Sequence, residues 1–597
     1  MRIAVLVKQV PKFEAMELGP DGRLVREGLE LEMNPYCRRA VSKGVELAAA
    51  SGGTCTVLTL GPPAADDVLR EAIAWGATDG VLVTDPAFAG SDTLATARAL
   101  AAVLDREGPF DLVLVGRNSV DADTGQVGPE LAELLDLPFV TAVKRLDVGD
   151  RELKVLCEED DGHSERTVRL PAVVSTAERL TEPAKVDPAG RAAVDAARIR
   201  AVHAADLGEG PWGQDGSGTY VGEVRVLDVE RQRVVLDGPV AAQVDTAVRM
   251  LVERGALDDP VHGARPPVPE HRGVVGRAVA VVVEPDRRNV TDELLGTAAL
   301  LARDIDGHVV AIVFDPALDD DDVAAMGADA IVRVNGGDIE EDAASAVAAW
   351  AVEASPWAVL LASTTWGREV GGRAAARLGA GLTGDAVALE VSPVVSTGDA
   401  QLLAWKPAFG GRLVAAIYAS TPVQMATVRA GVLPKLVPRV RTFVPATTRV
   451  VTPRGRVEIL AQSRDDDLDV LANAARVVCV GAGVPPDAYD DLRPLLDVLD
   501  AELAATRKVT DKGWQPRARQ VGITGRSIAP QLYVGLGLSG KFNHTIGVRA
   551  AGTVVAVNPD RDAPIWDHVD IGIVAGWREV VPELVARLRD ARRVRGS

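Results

Sequence analysis

Cysteine is scarce in this sequence, with four in 597 residues, at Cys37, Cys55, Cys157 and Cys479. None lies in a CxxC and the four are scattered, which excludes a zinc or iron–sulfur site built from cysteines. Histidine is sparse too: the chain has seven and no HExxH, so it carries no motif for metal chemistry. No uninterrupted apolar run approaches the ~18 residues a membrane span requires. The start, MRIAVLVKQVPKFE, lacks a signal peptide's long apolar region and reads as a first β-strand. A cytoplasmic protein without stable membrane insertion is expected. Positive charge is in deficit as well: 65 Lys and Arg against 85 Asp and Glu give a net charge of −20. That argues against nucleic acid or an anionic membrane as the main partner.

What is present is enough chain for three or four domains of ordinary size, with the 47% hydrophobic and 25% charged residues of a soluble globular protein. Two distant stretches look alike. DDVLREAIAWGATDGVLVTDP (66–86) is followed by DLVLVGRNSVDADTGQVGPELAELLDLPFV (111–140); DDDVAAMGADAIVRVNGGD (320–338) is followed by AVLLASTTWGREVGGRAAARLGAGLT (358–383). Each gives an acidic helix start, a helix ending in xxGA, a strand, a VL-rich strand, a polar loop and an Ala/Leu helix. Two copies of one supersecondary order predict two homologous domains. Val/Leu/Ile-rich strands alternating with Ala-rich helical stretches predict parallel α/β sheets covered on both faces. The expected division is residues 1–255, a Pro/Gly-dense linker at 256–276, a second unit at 277–455 and a third α/β unit at 456–597.

The third unit carries the densest set of chemistry-bearing residues. TRKVTDKGW (506–514) is followed by QVGITGRSIAPQLYVGLGLSGKFNHTIGV (520–548) and TVVAVNPDRDAPIWDHVD (553–570). An arginine, a Thr-Gly turn, a Gly/Ser loop and an Asn-His pair between short apolar strands suit a large, flat, phosphate-bearing cofactor. The earlier GAGVPP (481–486) is an incomplete GxGxxG and reads as a strand-to-helix turn. The pieces QVG-TG-AP-LY, SG---H and AVN-D--API resemble the C-terminal domain of the electron transfer flavoprotein α subunit. TTWGREVGGRAAARLGAGLTGD (364–385), FGGR (409–412) and QMATVRAG (424–431) resemble that subunit's N-terminal domain. VLVKQVP (5–11), EMNPYCRRAV (32–41) and DADTGQVGPELAELLDLP (121–138) resemble the β subunit. The resemblance thus spans nearly the whole chain as a β-then-α fusion. It implies three doubly wound parallel-sheet α/β domains: two homologous adenine-nucleotide-hydrolase-like folds and a flavodoxin/Rossmann-like FAD-binding domain.

By that resemblance Arg507, Thr524 and His544 lie near a flavin ring. There a cation and hydrogen-bond donors favour the negative charge that reduction places on the ring. Gln520, Val521, Gly525, Ser527, Gly537, Ser539, Gly540, Asn543, His544, Asn558 and Asp570 are the further FAD candidates, the Ser539–Gly540 loop facing the pyrophosphate. Ile523 and Asn543 stand where the family usually has glutamine, which puts the redox tuning in question. In the first unit Asp123 and Thr124 are expected at a helix start, with Gly125 and Gly128 close behind, where N–H groups and the helix dipole favour a phosphate. An ordinary N-cap has the same pattern. The resemblance makes this loop the site of AMP or of a second FAD, with Leu6, Asn34, Gly61, Gln126 and Val127 as further candidates.

The implied function is an electron transfer flavoprotein carrying electrons from flavin dehydrogenases of the acyl-CoA dehydrogenase type, in fatty acid β-oxidation, to a membrane quinone oxidoreductase or similar acceptor. The alternative is an electron-bifurcating enzyme that oxidises NADH at a second FAD and passes electrons to acceptors such as ferredoxin or flavodoxin. The expected partner loop follows Leu180-Thr181-Glu182-Pro183, but 184–199 shows no leucine anchor. A homodimer stays open.

Overall fold

The computed structural model describes all residues except 13–28, 227–229, 259–265, 272, 394–398, 409–412, 441–442, 465–469, 472–473, 523–524 and 596–597. Apolar runs such as AVAVVV at Ala278–Val283 are buried along their whole length, as expected of parallel strands covered on both faces. The first unit orders its parallel strands Phe139–Val148, Ala172–Thr176, Leu112–Gly116, Arg2–Leu6, Thr54–Leu60, Asp79–Val83 and Ile199–Val202. The second repeats the order with Gly381–Ala386, Gln424–Val428, Ala358–Ala362, Ala278–Val283, His308–Val313, Ala330–Asn335 and Ala446–Val450. The repeat seen in the sequence is therefore a repeat of topology.

The third unit has the strand order Gln520–Val521, Glu502–Thr506, Arg476–Val480, Leu532–Leu536, Thr553–Val557, Ile571–Ile573. Numbered along the chain this is 3-2-1-4-5-6, the doubly wound dinucleotide-binding order, with its direction of progress reversing between Arg476–Val480 and Leu532–Leu536.

The units exchange segments. Strand Thr219–Val226, which leaves the first unit, pairs antiparallel with Leu413–Ala419 of the second. Strand Val457–Arg464, which leaves the second, pairs antiparallel with Gly162–Arg169 of the first. Further along the first arm, Val234–Leu236 adds an edge strand beside Ile571–Ile573. Helix Val240–Glu253 then buries Val244, Ala247, Val248 and Leu251 in the third unit's core. The sequence boundaries at 255 and 456 thus fall beside segments that serve a neighbouring unit.

Helices Val127–Leu134 and Thr365–Leu378, equivalent in the repeat, pack on each other where the first two units meet. A Cβ on Gly372 would lie 2.9 Å from Pro129 Cγ, so glycine is what permits this approach. Nearby, buried Arg166 makes a two-pronged ion pair with Glu340 at 2.9 and 3.0 Å. The four cysteines are buried and free. No helix among the described residues is long and apolar enough to cross a membrane.

Candidate functional site

In an open parallel sheet the crevice for a ligand lies outside the carboxyl ends of the strands where the order reverses. In the third unit that places it at the loops leaving Arg476–Val480 and Leu532–Leu536. The second loop turns at Gly537 and Gly540, with φ of 60° and 74°, values that favour glycine. A Cβ on Gly540 would sit 2.2 Å from Ile565 Cα. Gly537 donates its N–H to Val557 O at 3.1 Å. The N–H groups of Ser539 and Gly540 meet no acceptor among the described residues, so this loop fits an anionic group such as a pyrophosphate. Asn558 braces the loop, donating from Nδ2 to Leu538 O at 2.9 Å and accepting Asp560 N–H at 2.9 Å.

Arg507 opens the short helix Arg507–Asp511 beyond strand Glu502–Thr506. Its guanidinium lies 3.3 Å from Asp511 and 3.3 Å from Glu178 of the first unit. Arg517 meets the other oxygen of Glu178 at 3.5 Å. Gln520 is buried and accepts from Thr510 Oγ1 at 2.6 Å.

His544 is buried, with Nδ1 3.0 Å from Val521 O and Nε2 2.6 Å from Tyr533 Oη. A carbonyl oxygen can only accept, so Nδ1 carries the proton and Nε2 accepts from the tyrosine. Burial pulls the imidazole down to about 4, against the opposing bond to Val521 O. His544 is therefore neutral at pH 7, and both ring nitrogens are engaged within its own unit.

Asp570 is also engaged. It accepts from Arg231 at 2.9 Å, Val554 N at 2.8 Å and Gln232 N at 3.3 Å, and Arg254 lies 3.2 Å away. Its carboxylate thus anchors the first unit's arm. Ile523, Thr524 and the side chain of Asn543 lie outside the described residues.

Leu6, Gly61 and the Asp123–Val127 loop all stand at carboxyl ends of the first unit's parallel strands. Asn34 is buried, donating to Asn118 O at 2.8 Å and accepting Val120 N–H at 3.1 Å, and so fixes the segment leading into that loop. Asp123 adopts φ 48° and accepts from Asn118 Nδ2; Gly125 has φ 65°. The helix does not start at Asp123–Thr124 as expected: the positive φ values at Asp123 and Gly125 keep the loop non-helical, and helix Val127–Leu134 begins after Gln126, which is its N-cap and is 1% exposed.

A cavity of about 260 Å³ opens beside this loop, and all three units contribute to its wall. The first gives Tyr36, Arg117, Asp123, Gly125 and the acidic turn 158–161; the second Thr365, Arg368, Glu369, Asp385 and Arg429; the third Arg517, Gly525, Arg526 and Ser527. Leu6, Asn34, Gly61 and His544 do not line it. Burial works to raise the Asp385 carboxyl, but Arg429 and then Arg368 outweigh it and hold the group well below the usual carboxylate range. Asn118 Oδ1, Thr365 Oγ1 and Glu369 Oε2 are buried without a hydrogen-bond partner, while Glu158 Oε2 faces Arg517 at 3.5 Å and Arg117 at 3.8 Å. Unpaired buried polar atoms are rare and costly, and three on one cavity fit a polar ligand spanning the first two units. The acidic turn and the Arg368–Asp385–Arg429 wall carried no functional role in the sequence reading. The run Glu158-Glu159-Asp160-Asp161 was a visible signal, but its facing arginines lie more than two hundred residues away in sequence.

The electron transfer flavoprotein domain matches residues 21–202 and again 279–453, and the electron transfer flavoprotein FAD-binding domain matches 470–549. The chain belongs to the electron transfer flavoprotein family. Its N-terminal part is similar to the electron transfer flavoprotein subunit beta of Thermoanaerobacterium thermosaccharolyticum, 35% identical over 42% of this chain and 97% of the relative. Its C-terminal part is similar to subunit alpha of the same organism, 32% identical over 50% of this chain and 93% of the relative. A third relative is the caffeyl-CoA reductase-Etf complex subunit CarD of Acetobacterium woodii, 37% identical over 31% of this chain and 71% of that protein. What other organisms make as two chains is here one fused electron transfer flavoprotein with three α/β units.

The expected partner loop is polar in the structure. Helix Pro188–Ala192 is tied down by Arg191 to Asp67 at 2.7 Å, and Arg70 donates to Val194 O at 3.1 Å. Its larger apolar side chains, Val186 and Val194, are half-buried.

Proposed function

We propose that this chain accepts electrons at a FAD in the third unit and passes them to a second redox protein. The observation that carries this reading is the 3-2-1-4-5-6 sheet, whose switch-point loop offers the Ser539 and Gly540 N–H groups within the stretch that matches the FAD-binding domain. The flavin supplies the electron chemistry when bound. The chain's own residues bind and tune: the loop N–H groups take the pyrophosphate, and Arg507 places positive charge toward the ring. His544 stays neutral and acts as packing rather than as a cation. The donor is a flavin dehydrogenase and the acceptor a quinone oxidoreductase or a small redox carrier.

A second reading, electron bifurcation with a second FAD at the Asp123–Val127 loop, is favoured by one feature. The cavity beside that loop is also walled by Arg368, Asp385 and Arg429 of the second unit and by Gly525 and Ser527 of the third, so a ligand there is not confined to the first unit. CarD, by its name, belongs to a reductase–Etf complex, which supports asking the question. Flavin stoichiometry and released-nucleotide analysis decide. One FAD with one AMP supports the carrier, and two FAD without AMP support bifurcation. A purified protein that stays colourless after FAD is added sinks both. Separately, Arg507→Ala should lower the yield of the one-electron-reduced flavin on stepwise reduction; an unchanged yield removes Arg507 from the ring.

A further inference from the structure

Glu130 lies one turn into helix Val127–Leu134 and is fully buried. Its Oε1 is 2.9 Å from Thr93 Oγ1, and the same hydroxyl is 3.0 Å from Gln126 Oε1. Gln126 Nε2 points the other way, donating to Leu382 O in the second unit at 3.3 Å. That contact fixes the amide, because a carbonyl can take only the NH₂ end, so Oε1 faces Thr93 as an acceptor. Thr93 then stands between two oxygens with a single proton to give. The chain of bonds closes only if the carboxyl brings a proton of its own: Glu130 Oε1–H donates to Thr93, Thr93 to Gln126, and Gln126 to Leu382 O.

The surroundings agree. Glu130 Oε2 is buried with no partner, which costs far more for a carboxylate oxygen than for the C=O of a neutral acid. Burial, with Asp92 second, pushes the carboxyl up to about 8, while Thr93 and Arg98 oppose. Asp92 belongs to the N-cap of helix Thr93–Glu107 and accepts from Ala95 N, Thr219 N and Thr219 Oγ1. Arg98 is turned toward Gly216 O. The second unit's helix Thr365–Leu378 directs Arg373 and Arg377 at Glu133, and Arg373 also holds Glu369. Strand Ala172–Thr176 has no charged residue, and strand Phe139–Val148 carries Lys144, Arg145 and Asp147 beyond its register with Ala172–Thr176.

We propose that Glu130 is a positioning residue that, in its protonated form, holds Gln126 and the adjoining Asp123–Gly125 loop against the second unit, and releases them when it ionises. On ionisation the proton goes to solvent, Thr93 turns its hydroxyl to the carboxylate, and Gln126 Oε1 is left without a donor. The protein thus carries a pH-sensitive brace between its first two units, under the loop read above as a nucleotide site.

The test uses the full chain reconstituted with FAD, with Glu130→Gln and Thr93→Val variants. An amide at 130 can donate to Thr93 as the acid does, but cannot ionise. Infrared difference spectra should show a protonated-carboxyl C=O band at pH 7 in the parent that is missing from E130Q and fades in the parent as pH passes about 8. Parent melting temperature should fall relative to E130Q as pH rises from about 4.5 to about 8, where the folded state holds a proton the unfolded chain has lost, and level off above that, while T93V is weakened throughout. Titration with AMP, and separately with FAD, should show parent affinity dropping about five- to ten-fold between about pH 7 and pH 9 as the folded carboxyl ionises, the worth of one hydrogen bond, with E130Q unchanged. Absence of the band overturns the proposal, as do matching pH profiles of stability in parent and E130Q. The affinity arm rests on the nucleotide reading of the loop. Failure of AMP and FAD to bind there at any pH would sink that reading and leave the infrared and melting results to decide on Glu130.

Discussion

His544 illustrates how a residue's chemistry is set by what its neighbours can accept. With Val521 O on one side and Tyr533 Oη on the other, the imidazole has a fixed tautomer and no spare N–H. The folded ring takes a proton only near pH 4, the unfolded one near 6.5. The unfolded chain therefore binds more protons between those values, and stability contributed by this group is lost as pH falls from about 6.5 to about 4. The expected loss is up to about 1.4 kcal/mol per pH unit. Nitrogen-15 NMR of the imidazole should show Nδ1 protonated throughout neutral pH. In Tyr533→Phe the Nε2 atom loses its donor, and the tautomer preference should weaken. A His544 that titrates near 6.5 in the parent would refute the assignment. The sequence pointed to this histidine through the company it keeps, but not to its neutrality. That depends on Tyr533, eleven residues earlier on a neighbouring strand, and only the fold brings the two together.

Among the elements, helix Thr365–Leu378 bears most directly on how the first two units meet. Gly372 faces Pro129 so closely that any side chain must displace it. Gly372→Val should cost about 1–3 kcal/mol by overpacking, visible as a lower melting temperature with both units still folded by circular dichroism. Removing the Glu340 carboxyl with Glu340→Ala leaves Arg166 buried with Glu159 as its one ion-pair partner among the described residues. Losing one member of such a pair typically costs about 3–5 kcal/mol, so denaturant midpoints should fall accordingly. Apolar periodicity made the parallel strands and the repeat legible, because a strand buried on both faces is written as an unbroken Val/Ile/Leu run. The exchanged strands were not legible. Val457–Arg464 reads VEILAQSR, three consecutive apolar residues followed by three polar ones with no period-2 alternation, and nothing in it names Gly162–Arg169, almost three hundred residues earlier, as its partner.

At the scale of the molecule, the exchanges make the two halves mutually dependent. Each supplies a strand to the other's sheet, and the first half's arm also supplies an edge strand and a core helix to the third unit. Residues 1–258 and 273–597 produced as separate chains should associate when co-expressed and copurify with FAD bound. Produced alone, each should aggregate through its uncovered strand edges. Two stable, soluble, independent halves would contradict this. The helix Val240–Glu253 adds a constraint of timing. It leaves the ribosome roughly 220 residues before the first strand of the sheet it will cover. At about 5–20 residues per second, its apolar face, Val244, Ala247, Val248 and Leu251, waits on the order of ten to forty seconds for somewhere to go. During synthesis that face is the part of the nascent chain most in need of a chaperone.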